Sequence, residues 1–333
     1  MPDDAAGEDD YRVVVGEECF DWRQLPDSGL AEALDTLAEL LEPLADGHRA
    51  AFLDAAYDTE CRPSVTLLDA LYTPDAGLPT DERRLLQQLL QKCRIVSPGE
   101  ADLPCPVRRA DAPDSDWRES SWGMAHALAR AAAGRATSCL WPSYASAAQD
   151  WPSGWITVAR RTEAGEDAVR LHLLRLPGET PGFWRAIFTA ESVPAERFFD
   201  LTPDAFPDLL FAESLRLNHF KGAYVDVLPW LVALLGALND QFTQALSACA
   251  GDQKQVIARF AAMGLDISPE SPNTKRNAKA WEQRNVAYED GVEYRCEWHG
   301  KRLWDRDRVH FSLPIPAQGN RVLIGIFADH LDT

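Results

Sequence analysis

Between residues 294 and 330 the chain sets carboxylate, imidazole and cationic side chains at strand spacing. The runs are Tyr294-Arg-Cys-Glu-Trp-His-Gly-Lys301, Arg308-Val-His-Phe-Ser-Leu313 and Arg321-Val-Leu-Ile-Gly-Ile-Phe327, followed by Asp329 and His330. Residues two apart on a strand share a face. Arg295, Glu297, His299 and Lys301 therefore fall together, and Arg308, His310 and Ser312 join them when the strands pair in register. Tyr294, Cys296, Trp298, Val309, Phe311 and Leu313 take the other face, the one expected to be buried. A carboxylate beside imidazoles suits general acid–base work, and Arg and Lys suit charge on phosphoryl oxygens. The expected chemistry is metal-independent cleavage of a phosphodiester. His299 or His310 would be the acid/base, Glu297 the orienting carboxylate or base, and Arg308 and Lys301 the phosphate contacts. The plainer alternative is a solvated sheet face held by cross-strand charge pairs.

Glu297, His299, His310 and His330 are also donors that zinc accepts. No H-E-x-x-H and no paired Cys/His spacing accompanies them, and Arg and Lys on the same face oppose a dication. No metal and no cofactor is expected. A second stretch, Lys275, Arg276, Lys279 and Arg284 around Trp281, has the pattern that tracks a phosphate backbone and stacks a base. With Lys301 and Arg321 these are the candidate nucleic-acid contacts. Their alternative is a loop leading into a short charged helix. Walker, dinucleotide and nucleophile-elbow motifs do not occur.

The elements that must position these groups read as follows. Tyr11–Val15 is a short strand, Leu30–Leu44 a helix, Arg49–Tyr57 a second helix capped by Asp46, and Arg83–Cys93 a third. Proline-rich 104–116 is a linker. Ser120 or Ser121 opens an Ala-rich helix, and 155–159 with 169–174 alternate as a hairpin. Phe183–Thr189 reads as a strand, 226–249 and 253–263 as helices, and 268–277 as a loop. The expected fold class is α+β, in two parts. Residues 1–115 form an acidic, mainly helical region. Residues 116–333 form a mixed region ending in an antiparallel meander at about 286–331, packed on helices.

Charge bounds the partners. The net charge of the 333 residues is −19. Residues 1–60 hold 3 Lys/Arg against 17 Asp/Glu, whereas residues 270–333 hold 10 against 10. Nucleic acid is thus repelled by most of the chain but not by its C-terminal part. The acidic residues 1–60 fit a basic partner protein, or the chain's own basic loop. Seven cysteines without a C-x-x-C pair imply reduced thiols, and the first residues lack a secretory pattern, so a cytoplasmic protein is expected. The longest apolar run, Leu228–Leu238, is too short for a membrane span.

Two resemblances bear on function. Arg308-Val-His-Phe, Arg321-Val-Leu-Ile-Gly-Ile-Phe and His330 sit in an order that resembles the sheet of RelE-like bacterial ribonuclease toxins. The likeness covers about 45 residues, and it departs from that family in size and charge, since those toxins are small and strongly basic. It implies RNA as substrate. Separately, Phe198 to His330 looks like an uncharacterised bacterial family, through Phe198-Phe199, Phe206-Pro-Asp-Leu209, Leu238-Asn-Asp240, Ser268-Pro-Glu-Ser-Pro272 and Tyr294-Arg-Cys-Glu-Trp-His299. That likeness implies a setting in bacterial conflict or phage-defence gene neighbourhoods. The expected function is a defence-type protein whose C-terminal sheet binds RNA and is equipped to cleave it. The alternative is a non-catalytic acidic adaptor that docks a basic partner protein.

Overall fold

The computed structural model describes residues 11–45, 49–74, 76–145, 151–289, 291–329 and 331. The fold is α+β, and the chain divides into two compact units, Met1–Phe183 and Trp184–Thr333.

The first unit runs β1 (Val13–Val15), α1 (Asp27–Ala45), β2 (Ala50–Leu53), β3 (Glu60–Arg62), β4 (Val65–Thr66), α2 (Leu67–Tyr72), α3 (Thr80–Lys92), β5 (Arg94–Val96), β6 (Pro106–Arg109), β7 (Arg118–Glu119), α4 (Trp122–Ala132), β8 (Ser138–Leu140), β9 (Gly154–Thr162) and β10 (Gly165–Leu174). Eight of these strands form one sheet in the order β5-β2-β1-β8-β10-β9-β6-β7. The first five are parallel, and β9, β6 and β7 add on antiparallel. Parallel strands need cover on both faces, and every residue of β1 and β2 is buried accordingly. α1 buries Leu30, Leu34, Leu37, Leu41 and Leu44 along one stripe. Ser121 caps α4 by accepting from the Met124 amide at 3.0 Å.

Several expectations change here. The region 1–115 is rich in helix, with Asp27–Ala45, Leu67–Tyr72 and Thr80–Lys92, but it also carries β1, β2, β5 and β6. The stretch 49–57 is β2 followed by a 3-10 turn at Asp54–Asp58, and Asp46 lies outside the described residues. Strands of three or four wholly buried residues carry no alternation to read. Residues 104–116 contribute β6 to the sheet, so the chain divides after Phe183 rather than there.

The helix α5 (Thr180–Ala190) spans the division. It stands where a strand is expected at 183–189. Phe183, Trp184, Ile187 and Phe188 are all buried, which is the stripe of a helix entered through Pro181.

The second unit continues with α6 (Thr202–Ala205), β11 (Leu209–Phe211), α7 (Tyr224–Ala237), a π-turn at Leu238–Phe242, α8 (Thr243–Ala248), α9 (Gln253–Ala261), β12 (Asp266–Pro269), α10 (Pro272–Arg276), α11 (Ala278–Glu282), β13 (Asn285–Tyr288), β14 (Val292–Arg295), β15 (Trp298–Leu303), β16 (Arg306–Phe311) and β17 (Val322–Ala328). The sheet order is β11-β17-β16-β15-β12, with β15, β16 and β17 as the antiparallel meander. Among the described residues β13 and β14 pair only with each other, so Tyr294 and Arg295 lie outside the five-stranded sheet.

Both faces of this sheet are covered. On one, Phe242 packs edge-on against Trp298 and Phe311, at 5.4 and 5.1 Å between centroids. Gly300 lies so close under Leu234 that an added Cβ would sit 2.5 Å from its Cδ2. The segment 270–297 closes the other face. There Val286 and Cys296 lie over Gly325, and Arg284 reaches in from the end of α11. Among the described residues no helix is long and apolar enough to cross a membrane. All seven cysteines are free.

Candidate functional site

Register brings the two histidines together. β15 and β16 pair His299 with His310 and Lys301 with Arg308, and the imidazole centroids lie 5.2 Å apart. The alternation that groups these residues in the sequence therefore holds in three dimensions. Glu297 does not join them. It precedes β15, and its carboxylate pairs with Lys275 Nζ at 3.1 Å near the surface.

Glu270 supplies the carboxylate instead. β12 is an edge strand, which tolerates Pro269, and it pairs Ser268 with His299 and Pro269 with Trp298. The next residue, Glu270, donates its backbone N–H to Glu297 O at 2.8 Å and turns its side chain under the sheet. Its Oε1 accepts from Arg284 Nε at 2.9 Å. The same oxygen lies 3.3 Å from His310 Nδ1 and 3.6 Å from His299 Nδ1. Ser268 Oγ is 3.2 Å from His299 Nε2. Arg284 Nη1 also donates to Ala280 O at 2.7 Å, which caps α11.

The cluster is sealed. Arg284 and His310 are 0% exposed and His299 is 6% exposed. Burial holds the imidazoles neutral. It lowers the His299 pKa to about 3, with the His310 ring adding to the effect, and it lowers His310 in spite of the Glu270 carboxylate. Burial by itself would raise Glu270, but the His310 contact and the Arg284 guanidinium outweigh it and bring the carboxyl to about 2. A general acid or base works best with a pKa near the operating pH and within reach of its substrate. His299 meets neither condition and the sealed His310 fails on access, so neither is placed to act as the expected acid or base.

The remaining candidates divide by exposure. Arg284, expected to contact nucleic acid, is wholly enclosed. Arg308 is nearly so, with burial lowering its pKa. Arg321 donates to Gln318 O at 3.1 Å. Lys275 and Arg295 stack on the Trp281 ring at 5.2 and 4.5 Å. Arg276 and Lys279 are exposed on α10 and α11. His330 lies outside the described residues.

The two-residue turn of the β15–β16 hairpin carries a feature that strand alternation does not single out. Trp304 is 84% exposed, beside the 43% exposed Leu303. Lys301, Arg302 and Arg306 flank it along the hairpin, with side chains 23%, 24% and 39% accessible. Their partners are Asp266 at 3.9 Å, Asp307 at 3.1 Å and Asp305 at 3.3 Å. Asp307 also accepts from the Lys221 and Gly222 amides at 2.7 and 3.1 Å, which fixes the hairpin root. The sequence signal for this tip is an aromatic between cations at a hairpin turn.

No protein-family model, curated protein or solved structure matches this chain.

Proposed function

We propose that the second unit is an RNA-binding module that acts through the tip of the β15–β16 hairpin, in the defence-type setting implied by the resemblances. One observation carries this reading: a tryptophan 84% exposed among Lys301, Arg302 and Arg306. An indole left in water between cations is a stacking platform for an unpaired base, with the phosphates beside it met by the cations. The Lys301–Asp266 and Arg306–Asp305 pairs are surface pairs worth about 1 kcal/mol or less, so phosphates can displace them, whereas Arg302 stays paired with the buried Asp307. The reading is of recognition rather than cleavage, supported by the burial of His299 and His310. The test is affinity for a labelled single-stranded RNA oligonucleotide against salt. Two or three phosphate contacts give a log–log slope of about −1.4 to −2.1. Trp304→Ala is expected to weaken binding by about 1–3 kcal/mol. Equal affinity for the variant would overturn the reading, and tighter binding of the matching DNA would move it to DNA.

A second reading rests on a different observation. α1 presents Glu32, Asp35, Glu39 and Glu42 to solvent on one face, and the helix contains no Lys or Arg. That stripe suits docking of a basic partner protein. Charge reversal tests it. Asp35→Lys together with Glu39→Lys should abolish salt-sensitive co-purification of such a partner and leave RNA affinity unchanged.

A further inference from the structure

We propose that Glu270, His299 and His310 bind one divalent transition-metal ion, of the zinc class, inside the sheet of the second unit. Each residue comes from a different segment: the end of β12, β15 and β16. Each offers one ligand atom, and the three atoms lie within 4.8 Å of one another. Oε1 of Glu270 is 3.3 Å from His310 Nδ1 and 3.6 Å from His299 Nδ1. Ligands bonded at about 2.0–2.1 Å with tetrahedral angles stand roughly 3.3–3.4 Å apart. The two carboxylate–imidazole spacings are close to that value.

Hydrogen bonding points the same way. Among the described residues His310 Nε2 is buried without a hydrogen-bond partner, and Nδ1 of both rings meets no polar group but the shared Glu270 oxygen, at 3.3 and 3.6 Å. Such groups cost stability unless something satisfies them. The nitrogen of His299 that is bonded is the remote one, Nε2, which faces Ser268 Oγ at 3.2 Å. With the proton on Nε2 donated to Ser268, the lone pair of Nδ1 is left for a metal, the usual outer support of a ligating histidine. Arg284 supports the ligating carboxylate in the same manner. Two imidazoles and a carboxylate form a zinc-compatible set, and enclosure makes the site structural rather than catalytic. Arg284 and Arg308 oppose a dication, so the site binds more weakly than the same ligands would without them. Strand alternation groups the histidines with Glu297, which hides this set in the sequence.

The test uses the full chain, freed of metal by chelator and titrated with Zn²⁺ and Co²⁺. The proposal expects one equivalent bound and a higher melting temperature. With Co²⁺ it expects visible d–d bands without a sulfur charge-transfer band, and two strongly shifted imidazole N–H signals in the NMR spectrum. Glu270→Gln and His299→Asn, checked for folding by circular dichroism, should lose the equivalent and the melting shift. The NMR signals give the answer without any variant. No binding, a sulfur band that assigns the ion to cysteines, or binding unchanged in the folded variants would each overturn it.

Discussion

His299 and His310 face each other across β15 and β16, and both rings lean on a single oxygen, Oε1 of Glu270. Arg284 holds that oxygen from below at 2.9 Å. The imidazoles of the C-terminal sheet are thereby turned inward.

Glu270 and Glu297 should differ sharply on removal. Glu270→Ala leaves the Arg284 guanidinium buried without its carboxylate, at a cost of about 3–5 kcal/mol. Glu297→Ala loses only the near-surface pair with Lys275, at about 1 kcal/mol or less. Urea denaturation in chelating buffer measures both, and equal costs would return Glu297 to the cluster.

His310→Asn should lower stability and leave RNA affinity unchanged, because the ring is 0% exposed. In the wild type, diethylpyrocarbonate should modify exposed His219 well before His299 or His310, as read by mass spectrometry. Rapid modification of His310 would mean that the segment 270–297 opens.

Gly325→Ala should loosen that segment. The added methyl would overlap Cys296 Sγ and stand 2.8 Å from Val286 Cγ2. Overpacking of this kind costs about 1–3 kcal/mol. Faster amide exchange in β13 and β14 than in β8 and β10 is the expected signature.

In the first unit, burial and then the neighbouring Glu17 carboxylate push Glu18 up to about 8, against the pull of Ser121 and with a further rise from Asp21. The folded state then holds a proton that the unfolded state releases above about 4.5. Stability contributed by this group is full below that value, falls as pH rises toward about 8, and is flat beyond it. Glu18→Gln should remove the slope and be the more stable form at pH above about 8. Parallel pH–stability curves for the two proteins would contradict this.

The sequence made some of this legible. Leu30–Leu44 repeats at helical spacing and forms α1. The period-2 alternation through His299 and His310 places both on one face, as the register confirms. The covering of that face was not legible. Alternating polar residues look solvated when the lid comes from another part of the chain, and the lid segments α10, α11 and β13–β14 are short. Glu270 was missed because the prolines at 269 and 272 make its surroundings read as a loop. β2 and β5 were missed because three or four residues are too few to show a period.

The most direct test of the central claim is photo-crosslinking of the full chain to a 4-thiouridine-labelled single-stranded RNA, with the adducts mapped by mass spectrometry. The account predicts adducts at Trp304 and its neighbours in 301–306, lost in high salt. Adducts confined to the first unit, or none at RNA concentrations that saturate binding, would contradict it.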